Sequence, residues 1–83
     1  MKQWERQKIL ALKEAFPKGT RIVLIEMGDD PRPIEPDTRG TVMCVDDIGT
    51  IHCEFDNGRN LGLIWNVDTF RALTTEELNK ERK

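Results

Sequence analysis

The sequence predicts a mainly β protein: five short strands rolled into a small β-barrel, with an N-terminal amphipathic helix before them and a short C-terminal helix after them. Three observations carry that prediction. Apolar residues recur at helical spacing over the first sixteen positions. Five β-forming runs follow, separated by Gly, Pro, Asp and Asn. A capping box precedes the last apolar residue. At 83 residues the chain has room for a single core. The expected units within one domain are residues 1–18 (helix), 19–74 (barrel) and 75–83 (short helix and tail).

Residues 2–16 form the helix. At 100° per residue, Trp4, Ile9, Leu12, Phe16, Ala11 and Ala15 share one stripe, with Lys2, Arg6 and Lys13 opposite. Leu10 falls off the stripe. Pro17 and Gly19 stop the helix, because proline cannot continue the hydrogen-bond ladder. The strands are Arg21–Met27, Gly40–Asp46, Thr50–Phe55, Asn60–Ile64 and Thr69–Leu73. The first carries Ile22, Val23, Leu24 and Ile25 in succession, so apolar side chains leave both of its faces. The barrel interior is expected to take one set and the helix stripe the other. Gly28 to Asp37 holds three prolines and four acids and reads as a long loop. In Thr74-Thr75-Glu76-Glu77, Thr74 is the N-cap and Glu77 reaches back to its amide.

Turn chemistry sets the strand registers. A three-residue loop Asp56-Asn57-Gly58, with Gly58 left-handed, pairs Cys53 with Leu61 and Ile51 with Leu63, which puts all four on the core face. The loop Asp47-Ile48-Gly49 likewise pairs Val45 with Ile51 and Met43 with Cys53. Val42 is then misplaced unless the strand bulges. Cys44 stands opposite His52 on the outer face while Cys53 points inward, so free thiols are expected. Cys44, His52 and Glu54 share that face, but no fourth ligand accompanies them; no metal site is assigned.

Function is only thinly encoded. The chain has no Ser, one His, and no glycine-rich phosphate loop, so no catalytic residue and no cofactor are assigned. Apolar runs such as Ile22 to Ile25 are far too short to span a bilayer, and Met1 to Glu5 contains no signal core. With two cysteines, a reducing cytoplasmic setting is expected. The net charge of −2 argues against tight nonspecific DNA binding. Charge is divided along the chain: residues 1–25 carry +4, residues 26–70 carry −7 and residues 71–83 carry +1. The acidic middle is either a solvated surface or a face for a basic partner. Trp65, in a connection between strands, either packs under the helix or stands out as an anchor. Burial is expected, because a small protein usually spends its tryptophans on the core.

The strings Gly19-Thr20-Arg21, Met27 with Asp30-Pro31, Gly40-Thr41-Val42, Val45 to His52, Asp56-Asn57-Gly58, Leu61 to Ile64 and Val67-Asp68-Thr69-Phe70 mark a resemblance over residues 17–73. They resemble an uncharacterised family, the domain of unknown function catalogued as four-three-one-four, seen in bacteria, phages and mobile elements. The resemblance implies a mobile-element setting and assigns no activity. This chain departs from the family pattern at Trp65-Asn66, where Pro-Gly is usual. It also has Cys53 and Phe55 where a β-branched residue and Trp are usual. The Phe55 to Gly58 hairpin is similar to those of SH3-like small barrels, an analogy that does not fix function.

The expectation is therefore a non-enzymatic binding module that engages a protein partner, with Trp65, Leu10, Asp46, Asp47 and Asp56 as candidate contacts. The alternative is nucleic-acid binding through Lys2, Arg6, Lys13, Lys18 and Arg21.

Overall fold

In a computed structural model, residues 3–28 and 30–82 are described, with side chains from Glu5 onward. Lys2 and Asp29, and the side chain of Trp4, lie outside that description. The elements are α1 (Gln3–Ala15), β1 (Arg21–Glu26), β2 (Arg39–Val45), β3 (Thr50–Phe55), β4 (Asn60–Ile64), β5 (Thr69–Ala72) and α2 (Thr75–Glu81). Each strand boundary lies within one residue of the expected one.

The five strands form one antiparallel sheet in the order β4-β3-β2-β1-β5. The expected closed barrel is instead an open sheet, because β4 and β5 are its two edges and share no ladder. After β4, Trp65 bridges to Asp68 within its own turn, and three aromatic rings cluster together. Phe16 and Phe70 stand 5.4 Å apart, Trp65 and Phe70 5.9 Å, and Phe16 and Trp65 6.2 Å, all tilted or edge-on. These are the geometries that aromatic quadrupoles favour.

The β3–β4 hairpin has the expected register, Ile51 opposite Leu63 and Cys53 opposite Leu61. Gly58 takes a φ of 89° at its turn. Across β2 and β3, Val45 meets Ile51 and Cys44 meets His52 as expected, but Val42, rather than Met43, stands opposite Cys53. A bulge at Met43 absorbs one residue. It lets Val42 reach full burial and leaves Met43 40 % exposed. The physical reason is burial: an unbulged strand would put Val42 on the outer face.

The main core joins Ile22, Leu24, Val42, Ile51, Cys53, Phe55, Leu63 and Phe70 to Leu12 and Phe16 from the N-terminal segment. Ile34, from the proline-rich loop, also enters this core. The loop is tied down where Asp37 N–H donates to the Leu24 carbonyl at 2.7 Å and Leu24 N–H donates to the Thr38 carbonyl at 2.9 Å.

Two expectations for the helices need correction. The buried edge of α1 runs through Ile9 and Leu12 to Phe16, whereas Ala11 and Ala15 face solvent. Nor does α1 cover the outer face of β1; it lies against β2 and the Asp47–Gly49 turn. On the outer face of β1, Val23 stands between Arg39 and Arg71 in the register. That side faces α2 instead. A bulge between Leu24 and Glu26 turns Ile25 outward.

The capping box of α2 is complete: Glu77 N–H donates to Thr74 Oγ1 at 3.1 Å, and Thr74 N–H donates to Glu77 Oε1 at 2.8 Å. Yet α2 buries no residue and is held by ion pairs. Arg71 pairs with Glu77 at 2.7 Å, Arg21 with Glu81 at 2.6 Å, and Arg39 with Glu81 at 3.1 Å. Hydrogen bonds from Arg71 hold the Glu77 carboxyl at about 2, and those from Arg21 hold the Glu81 carboxyl at about 2. Both values lie below that of a free glutamate, about 4.3, so the folded state binds these protons more weakly. Docking of α2 is therefore expected to be complete above about pH 5 and to fade as pH falls through that range toward 2. Amide exchange of α2 measured at pH 7 and pH 3 checks this; protection unchanged at pH 3 contradicts it.

Candidate functional site

An apolar groove of about 510 Å³ runs between α1 and the ends of the sheet, lined by Ile9 and Leu12 of α1, Ile48 and Gly49, and Ile64 and Trp65. Glu5 and Lys8 form its polar rim. Three local features of the chain build it.

The first is the Asp46–Thr50 turn. Asp46 Oδ1 accepts from the N–H groups of Ile48 (3.1 Å) and Thr50 (2.9 Å), and Gly49 adopts a φ of 90°. A side chain at Gly49 would begin 3.3 Å from Ile9 Cγ1, so glycine allows α1 to lie close over the turn. Ile48, at the tip, is 78 % exposed.

The second is the connection after β4. Trp65 is 40 % exposed rather than buried. Its ring leans on Phe16 and Phe70, and the rest of it lines the groove. Asn66 follows with a φ of 71°, a left-handed position that asparagine tolerates better than most residues.

The third is Asp68, which is buried. Its Oδ2 accepts from Ile64 N–H at 2.9 Å and its Oδ1 from Gly28 N–H at 2.7 Å. Asp68 thus fixes the turn that presents Ile64 and Trp65, and it ties that turn to the start of the proline-rich loop. In the sequence Asp68 stands out only within the Val67-Asp68-Thr69-Phe70 string, four residues beyond a strand end.

Of the other candidate contacts, Leu10 is exposed and borders the groove: with Ile9, Arg6, Lys13 and Asp47 it lines a shallow recess of about 340 Å³. Asp47 accepts from Lys13 Nζ at 2.9 Å. Asp46 is engaged by its turn and by His52 Nε2 at 2.8 Å; that imidazole contact, with the Thr50 amide, holds its carboxyl below the usual range. Asp56 chelates Arg21 at 2.8 and 2.7 Å and is likewise lowered.

Of the basic candidates, Arg6 and Lys13 line that same recess. Arg6 and Lys18 are exposed, Lys13 is paired with Asp47, and Arg21 is held between Asp56 and Glu81. Lys2 lies outside the described residues. Both thiols are free, Cys44 exposed and Cys53 buried, and burial pushes the Cys53 thiol up to about 11. Among the described residues, no three His, Cys, Asp or Glu side chains gather to hold a metal ion, and no helix is long and apolar enough to cross a membrane.

No curated protein and no solved structure matches the chain. A family model does, over residues 5–73, from the Glu5 rim of the groove through the end of β5. The chain therefore belongs to the family described as Domain of unknown function (DUF4314).

Proposed function

We propose that this protein is a non-enzymatic binding module that docks a protein partner through the apolar groove between α1 and the sheet ends. The observation that carries the reading is the meeting of Ile48, Ile64 (51 % exposed) and Trp65 along one concave surface whose floor is Ile9 and Leu12. Single exposed apolar side chains are ordinary, but several converging on a concavity with a polar rim are the signature of a recognition site. Trp65 is half-buried against two rings, so it is already oriented and loses little side-chain freedom on binding. A setting in phages or mobile elements rests on the family resemblance.

The test places a photo-crosslinking amino acid at Ile48, whose exposure makes it tolerant of substitution, and irradiates the cells in which the protein is native. A protein adduct that disappears when Ile64→Asp is added is expected. Adducts with nucleic acid alone, or a protein adduct indifferent to Ile64→Asp, overturn the proposal.

A further inference from the structure

We infer that the outer face of β1, β2 and β5 is a second docking surface, one that takes an acidic helical segment of a partner protein and that α2 occupies in cis. Arg39 and Arg71 flank Val23 on the two neighbouring strands, and Arg21 lies two residues before Val23 on the same face. Three guanidinium groups from three adjacent strands thus form one row. Two carboxylates one helical turn apart read that row. Glu77 meets Arg71 through two hydrogen bonds, at 2.7 and 3.1 Å, and approaches Arg39 at 3.7 Å. Glu81 meets Arg21 through two hydrogen bonds, at 3.0 and 2.6 Å, and Arg39 at 3.1 Å. Paired contacts of this kind carry geometric specificity as well as charge.

The occupant is exchangeable. The helix α2 has seven residues and fully buries none of them; its one large apolar side chain, Leu78, stays 37 % exposed, so ion pairs carry most of its attachment. A helix that short is marginal by itself, and partly exposed ion pairs are weakened by salt. Its attachment is the buried Leu73, whose N–H donates to the Arg21 carbonyl at 2.9 Å, followed directly by the Thr74 cap. Release at Thr74 would uncover the arginines without opening the core.

The chemistry of the replacement follows from the contacts. What the face holds is a helix with carboxylates at positions i and i+4, and another such helix can make the same bonds. A nucleic-acid backbone does not offer two planar carboxylates one helical turn apart, the spacing these paired contacts fit.

The test uses the full chain carrying Glu77→Gln and Glu81→Gln. Glutamine at the third helical position preserves the capping box, while Arg39 and Arg71 lose their carboxylates in α2 and Arg21 keeps Asp56. The probe is a fluorescent peptide of residues 74–82, stapled between Glu76 and Lys80 so that its own Glu77 and Glu81 remain free. Fluorescence anisotropy is expected to show at least tenfold tighter binding to the variant than to the wild type, lost when Arg39→Gln and Arg71→Gln are added. Equal binding to wild type and variant, or binding that survives loss of the arginines, overturns the inference. A duplex oligonucleotide bound more tightly than the peptide also overturns it. So does a wild-type dimer abolished by the two glutamines, since a second copy's α2 would then be the occupant. If the variant does not fold, excess peptide added to the wild type is expected to accelerate amide exchange in α2; unchanged exchange refutes the proposal.

Discussion

Replacing Phe55 with alanine is expected to lower the unfolding free energy by about 3–5 kcal/mol, against a total of about 4–12 kcal/mol for a domain of this length. Phe55 is among the largest fully enclosed side chains, at the end of β3. Its cross-strand partner is Gly40, and a side chain there would begin only 2.9 Å from the Phe55 ring. Glycine thus makes room for the ring and offers nothing that could collapse into the hole once the ring is gone. The cost therefore belongs at the upper end for an aromatic truncation, where relaxation is least. Urea denaturation followed by tryptophan fluorescence measures it; a loss under about 1.5 kcal/mol contradicts the packing described.

The second large effect is expected at Asp68. Changing it to asparagine keeps the shape but leaves one acceptor oxygen for two backbone N–H groups and turns an NH₂ toward one of them. The expected loss is about 2–4 kcal/mol, the range for charge-assisted hydrogen bonds broken at a shielded site. It should come with weaker partner crosslinking at Ile48, because the turn holding Ile64 and Trp65 loses its anchor. Ile64→Asp provides the contrast: with its side chain 51 % exposed it should alter stability by about 1 kcal/mol or less, yet abolish partner capture at Ile48. Asp68→Asn as stable as the wild type would remove Asp68 from its structural role.

The parts of the molecule legible from residue order are those where cause and effect lie close in the chain. The β3–β4 register follows from the alternation of Ile51, Cys53 and Phe55 and from a glycine placed to turn left-handed. The capping box at Thr74 and Glu77 spans three residues. The misfit of Val42 signalled a bulge, although the choice between Val42 and Met43 opposite Cys53 depended on which side chain the core could accept.

The candidate sites were less legible, because they are made by residues far apart in the chain. Trp65 stood out as a large aromatic in a connection, but its partial exposure and its contacts with Phe16 and Phe70 bring together residues some fifty positions apart. Asp46 and Asp56 looked like free acidic contacts until a histidine and an arginine were brought against them. Nothing near Ile34 marks it as core, and nothing near Glu81 announces Arg21, sixty positions earlier.

Periodicity, turn residues and caps thus determined the strands, the two helices and most of the pairing, because each acts over a few residues through steric and hydrogen-bonding rules that need no distant partner. Tertiary structure decided the open edge between β4 and β5, the groove at Trp65, and the arginine face beneath α2. Those features depend on which side chains compete for the same space and charge once the sheet has formed, and that competition is settled only in three dimensions.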